Sequence, residues 1–80
     1  MVSAVVLINV QRGQVNETAQ SLLEIEGVAE VYSVTGEYDL VALLRLHRYE
    51  DLAEVVTTRM VQLTAITKKT LPGGTVITTG

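Results

Sequence analysis

From Val2 to Val10 the chain is an almost unbroken apolar run rich in valine and isoleucine. It is too short for a helix of ordinary length, and its β-branched content predicts a strand. Gly13 closes the turn that follows. The period then lengthens: Val15, Ala19, Leu22 and Leu23 recur at i, i+4, i+7 and i+8, while Asn16, Glu17, Gln20 and Glu24 take the other side. This spacing predicts an amphipathic helix ending near Glu26, with Gly27 as its C-terminal stop. Val28 to Thr35 returns to a β-rich alternation, Gly36-Glu37 makes a tight connection, and Tyr38 to His47 completes a hairpin. A second helix is predicted from about Glu50. Glu50, Asp51 and Glu54 suit the positive end of a helix dipole, and Leu52, Val55, Val56, Met60 and Leu63 supply an apolar stripe. From Ala65 the chain is threonine-rich and β-prone, and Pro72-Gly73-Gly74 breaks or bends it before Thr75 to Thr79.

The order strand, helix, strand, strand, helix, strand is the split βαβ arrangement of ferredoxin-like folds. The expected architecture is therefore α+β: a four-stranded antiparallel sheet with two helices on one face and the first and third strands central. Side chains alternate between the faces of a sheet. In the first strand Val2, Ala4, Val6, Ile8 and Val10 point one way and Val5 and Leu7 the other; in the third, Leu40, Ala42, Leu44 and Leu46 oppose Val41 and Leu43. Both central strands are thus apolar on both sides, and two helices cover only one. An exposed patch of that size marks an interaction surface. The second strand carries Glu30 and Ser33, as an edge strand should. The pattern predicts an obligate homodimer, an α/β sandwich whose sheets meet face to face through Val5, Leu7, Val41 and Leu43.

Composition narrows the function classes. The 80 residues make one domain, residues 1–80, with 48% hydrophobic and 19% charged residues, which excludes a disordered tail. A domain this small sits near the margin of stability and is commonly supported by disulfides, metals or association. There are no cysteines and a single histidine, His47, so a disulfide framework, a thiolate metal site and a cysteine nucleophile are all excluded, and association is left. The net charge of -3 disfavours direct nucleic-acid binding, which needs clustered cations. No apolar run reaches the roughly 18 residues of a membrane span, and the start lacks the features of a signal peptide. A cytoplasmic chain without a cofactor is expected.

The stretch from Gly27 to Leu40, G-V-A-E-V-Y-S-V-T-G-E-Y-D-L, resembles the effector-binding domain of the Lrp/AsnC family of transcriptional regulators, also called the RAM domain. In that family a helix ends at G-V, a strand closes on V-T-G, and the hairpin continues G-x-x-D into apolar residues. The βαββαβ order agrees over nearly the whole chain. The resemblance implies dimers that associate into higher oligomers, and a free amino acid bound in a cleft between dimers against the second-to-third-strand connection. Carried over by position, Gly36, Glu37, Tyr38 and Asp39 occupy that connection. Thr67 and Thr70 loosely meet the family's threonine pattern near the last strand, where Pro72-Gly73-Gly74 is a departure. Full-length members begin with a helix-turn-helix domain, for which this chain has no room; a stand-alone module, able to mix with full-length Lrp/AsnC regulators, is the expectation.

Each candidate also has a plainer reading. Asp39 is a turn-capping carboxylate or a partner for a ligand ammonium. Gly36 supplies a positive φ, and so exposes N–H groups able to hold a carboxylate. Tyr38 covers the strand end or makes a ligand or dimer–dimer contact, and Glu37 is a solvated charge or a ligand contact. Arg59 interrupts the second helix's apolar stripe, and either snorkels or bridges subunits. Lys68 and Lys69, adjacent on a strand, point to opposite faces and do not establish a basic patch. Against the sensor stand a small dimeric ferredoxin-like enzyme, of monooxygenase or isomerase type, and a purely structural assembly domain. The first of these needs a positioned acid or base in an enclosed pocket. His47, with no nucleophile or base near it in sequence, does not supply one, and no enzyme is expected.

Overall fold

The computed structural model describes residues 2–70 and 77–78. Among the described residues, four strands and two helical segments follow the expected order, and a short fifth strand is added to them. They are β1 (Val2–Val10), α1 (Val15–Leu23), β2 (Val28–Ser33), β3 (Leu40–Leu46), α2 (Tyr49–Glu54), β4 (Ile66–Thr70) and the short β5 (Ile77–Thr78). The sheet is antiparallel with order β2-β3-β1-β4, so β1 and β3 are central, as the alternation required. β4 pairs with the Leu7–Val10 end of β1, and β5 with Val2–Ser3. The expected Pro72-Gly73-Gly74 break lies outside the described residues.

The β1–β3 register runs unbroken from Val2↔Leu46 to Ile8↔Leu40. It sets like against like: Val6 faces Ala42 and Ile8 faces Leu40 on one side, Val5 faces Leu43 and Leu7 faces Val41 on the other. The first set is sealed by the helices, with Val6, Ile8, Leu40, Ala42 and Leu44 all at 0% exposure. Leu22 of α1 and Leu52, Val55 and Met60 of the second helical segment close over them. Burying each such side chain contributes about 1.5–3 kcal/mol.

The ends of the elements differ from the sequence reading for local reasons. α1 stops at Leu23. Ile25 N–H then donates to Leu22 C=O, and Gly27, at φ +100°, turns the chain into β2. A Cβ at Gly27 would run into the Leu46 side chain, so glycine is required there on two counts. Leu23 is 46% exposed and is not part of the buried stripe; Thr18, at 4%, takes a place in it.

The second helix is not one α-helix. After Glu54 the chain continues as a π-helical turn over Val55–Arg59 and a 3-10 turn over Met60–Gln62. Met60 N–H reaches back to Val55 C=O, five residues earlier. Five-residue spacing in a regular α-helix would swing Met60 away from Val55; the widened turn returns it to the core, where it is fully buried. The Thr57 hydroxyl, donating to Ala53 C=O at 2.6 Å, competes for a backbone acceptor in the same stretch.

β2 also departs from strict alternation. Val28 pairs with Leu44 and Glu30 with Leu43, leaving Ala29 as a bulge. Val28 and Val31 therefore both pack on the core, while Glu30 and Tyr32 project to the uncovered face. Among the described residues, no helix is long and apolar enough to cross a membrane.

Candidate functional site

The β2–β3 connection is fastened to the end of β1 at several points. Val34 N–H donates to Asp39 C=O at 3.0 Å, closing its base. Asp39 N–H donates to Ile8 C=O at 3.0 Å, and the Asn9 side-chain amide donates to Glu37 C=O at 2.7 Å. β1 runs beyond Ile8, its last partner on β3, and the Val10 N–H that would otherwise lack an acceptor on that side donates to Asp39 Oδ2 at 2.9 Å. The capping role of Asp39 is thus real, and it occupies one carboxylate oxygen. Gly36 has φ +116° with nothing within 4 Å of where a Cβ would stand. Among the described residues, the N–H groups of Gly36, Glu37 and Tyr38 enter no hydrogen bond. Glu37 is exposed; Tyr38 and Asp39 are half-buried. Asn9, which anchors the connection from the β1 side, escaped the sequence reading. Its signal was a polar residue breaking the odd-numbered apolar series Val5, Leu7.

Thr67 and Thr70 lie across β1 from this connection. β4 pairs with β1 on the edge opposite β3, so two strand spacings, about 10 Å, separate them. Thr67 falls at a register shift and is exposed; Thr70 is half-buried opposite Leu7. A single copy therefore brings Gly36–Asp39 together but not the threonines with them. Thr70, Leu7, Val41 and Tyr32 instead form one row across the uncovered face. Lys68 stands opposite Asn9 and Lys69 opposite Ile8, on opposite faces as expected. Val5, Leu7, Val41 and Leu43 share the face that the helices leave open, and all four are half-buried.

A second cleft lies elsewhere. About 270 Å³ lie between the α1–β2 turn and the second helical segment, lined by Gly27, Leu46, His47, Asp51, Glu54 and Arg59 among others. His47 and Arg59 are both exposed there, at the opposite end of β3 from Asp39. Asp51 is engaged by Arg48 at 3.6 Å. Among the described residues no group of three His, Asp or Glu side chains is placed to hold a metal ion. The Tyr32 hydroxyl donates to the Glu30 carboxylate, and this bond with the adjacent negative charge holds the phenol above its ordinary value.

The family model of the Lrp/AsnC ligand binding domain matches residues 3–70. The chain belongs to this family. Among curated proteins, it is 41% identical over 49 residues to the HTH-type transcriptional regulator FL11 of Pyrococcus abyssi, a match covering 61% of this chain and 32% of that one. The chain thus spans about a third of the length of that curated relative. Among solved structures, TTHA0845 from Thermus thermophilus superposes with a TM-score of 0.87 at 38% identity, covering 100% of this chain and 96% of that one. The transcriptional regulator NMB0573 of Neisseria meningitidis, solved with L-Met, superposes with a TM-score of 0.80 at 12% identity, covering 98% of this chain and 50% of that one, a likeness of fold. The ferredoxin-like architecture and the family read from the Gly27–Leu40 stretch are both borne out. The Lrp/AsnC match takes in the β2–β3 connection, Thr67, Thr70 and the four residues of the uncovered face.

Proposed function

We propose that this Lrp/AsnC domain is an amino-acid-sensing, oligomerising effector module. Two copies pair through Val5, Leu7, Val41 and Leu43, and a free amino acid binds between such pairs against Gly36, Glu37, Tyr38 and Asp39. The observation that carries this reading is the anchored yet unspent β2–β3 connection. Its backbone is fixed to a central strand by Asp39 and Asn9, while the N–H groups of Gly36, Glu37 and Tyr38 remain available. Consecutive free N–H groups at a positive-φ glycine suit a carboxylate. The second oxygen of Asp39 then serves the ammonium group, a charge-assisted bond stronger than a neutral one. Thr67 and Thr70, too far away within one copy, contribute from a neighbouring copy.

Two likenesses support the ligand class and the setting: NMB0573 is a transcriptional regulator solved with L-Met, and FL11 is a regulator of the HTH type. An amino acid held between pairs binds the assembled form better than the separated one, and so shifts assembly by mass action. Full-length Lrp/AsnC regulators, carrying their own DNA-binding domains, are the partners through which that shift reaches a promoter. The module itself touches neither nucleic acid nor membrane. Calorimetry against the twenty amino acids, with gel filtration of the same mixtures, tests the reading. One or a few amino acids should bind and change the elution volume, and Asp39→Ala should abolish binding while His47→Ala leaves it intact. Flat calorimetry and a constant profile would reduce the domain to an assembly element without an effector.

A further inference from the structure

One polar cluster stands on the uncovered face beside its apolar centre. The β2 bulge sets Glu30 opposite Leu43 and Tyr32 opposite Val41, on the same side as Val5 and Leu7. The Tyr32 hydroxyl donates to one Glu30 oxygen, and Arg45 Nη2 lies 3.9 Å from the other. In a single chain these groups stay accessible: Tyr32 is 50% exposed, and the Arg45 and Glu30 side chains 61% and 42%. Exposed pairs of this kind add little to stability.

Their value changes once the face is covered. A carboxylate stripped of water is costly unless it is already paired and hydrogen-bonded. Glu30 has both partners before any docking takes place. Two-fold pairing also brings a patch against its own copy, so a rim of one sign would repel itself, whereas neighbouring opposite charges attract. At 3.9 Å the guanidinium is loosely held, and its five N–H donors leave several for the other copy's carboxylate.

We propose that Tyr32, Glu30 and Arg45 are the polar key of the self-pairing face, keeping Glu30 compensated while a second copy of this chain closes over Val5, Leu7, Val41 and Leu43, and so selecting that partner. This rests on the pairing read under the proposed function and goes beyond it by naming the residues that decide the partner. Sedimentation equilibrium, with circular dichroism to verify folding, tests it on the wild type, Y32F, R45M, E30Q and the double variant R45M/E30Q. R45M leaves a covered carboxylate uncompensated in both copies and should weaken pairing about 100-fold or more. Y32F removes one hydrogen bond per copy and should weaken it about 10-fold. The double variant should recover most of the loss, because no stranded charge remains. Pairing that stays within about twofold of wild type in both R45M and Y32F overturns the key and leaves the pairing standing. Single chains of wild type at every concentration overturn both.

Discussion

The two faces of the sheet are built from the same strands and much the same side chains, yet one is dry and the other half-open. Leu44 has no exposure, and its neighbour Leu43, one residue back and pointing the other way, is half-buried. Hydrophobicity alone does not choose between them. The choice is made by connectivity: parallel strands joined through a helix cross over right-handedly, so α1 and the second helical segment settle on one side. The other face keeps its grease and acquires, at its β2 rim, a tyrosine whose phenol is held above its ordinary value. The lesson is that an apolar position becomes core or contact surface according to what the chain lays over it.

The sharpest way to break the comparison is to place one charge on each side in turn. Leu44→Asp buries an unpaired carboxylate and should leave no folded protein by circular dichroism. Leu43→Asp should leave the fold intact, with near-native far-ultraviolet spectra, while abolishing pairing in gel filtration. Equal damage from both would mean that the faces are not distinct. Truncation gives a gentler version: Leu44→Ala should cost about 2–5 kcal/mol in urea denaturation, and Leu43→Ala well under half of that in the same assay.

The glycines extend the contrast between crowded and open backbone. Gly27→Ala must displace Leu46 as well as hold a positive φ, and should cost about 2–3 kcal/mol. Gly36→Ala meets no neighbour and should cost only about 1 kcal/mol from its φ of +116°. The smallest effect is alkaline. Tyr32 has a raised phenol value in the folded chain, so the fold binds its proton more tightly than the unfolded chain does. The stability it lends is present below the ordinary tyrosine value of 10.0 and is lost as pH rises through the folded one. Difference spectroscopy should show a late-titrating tyrosine in the wild type that disappears in Tyr32→Phe.

Much of this was legible from residue order. The even-odd split of Val2–Val10 and Leu40–Leu46 appears as an alternation of buried positions with half-buried or exposed ones, and Gly27 and Gly36 take the positive φ values that their placement called for. The capping reading of Asp39 was legible as one of two; which N–H it would accept was not, because Val10 is 29 residues away and depends on how far β1 outruns β3. The break-up of the second helix was hidden for a similar reason. The stripe Leu52, Val55, Val56, Met60 keeps helical period throughout, so its spacing gives no sign of the widened turn. Thr67 and Thr70 were joined to Gly36–Asp39 by family pattern, although a sheet with the first and third strands central already sets β1 between them.

The bulge at Ala29 acts as a frame-shift within a strand. Counted off in strict twos from Val28, Glu30 and Tyr32 would be read inward and Val31 outward; one surplus residue resets the count so that valines fall inside and the polar pair outside. Losing Ala29 would therefore preserve the sidedness of everything after it, whereas losing Val31 would turn either Glu30 or Tyr32 inward. Length variation in this strand is tolerable at the bulge, and relatives that differ in length here are expected to differ there.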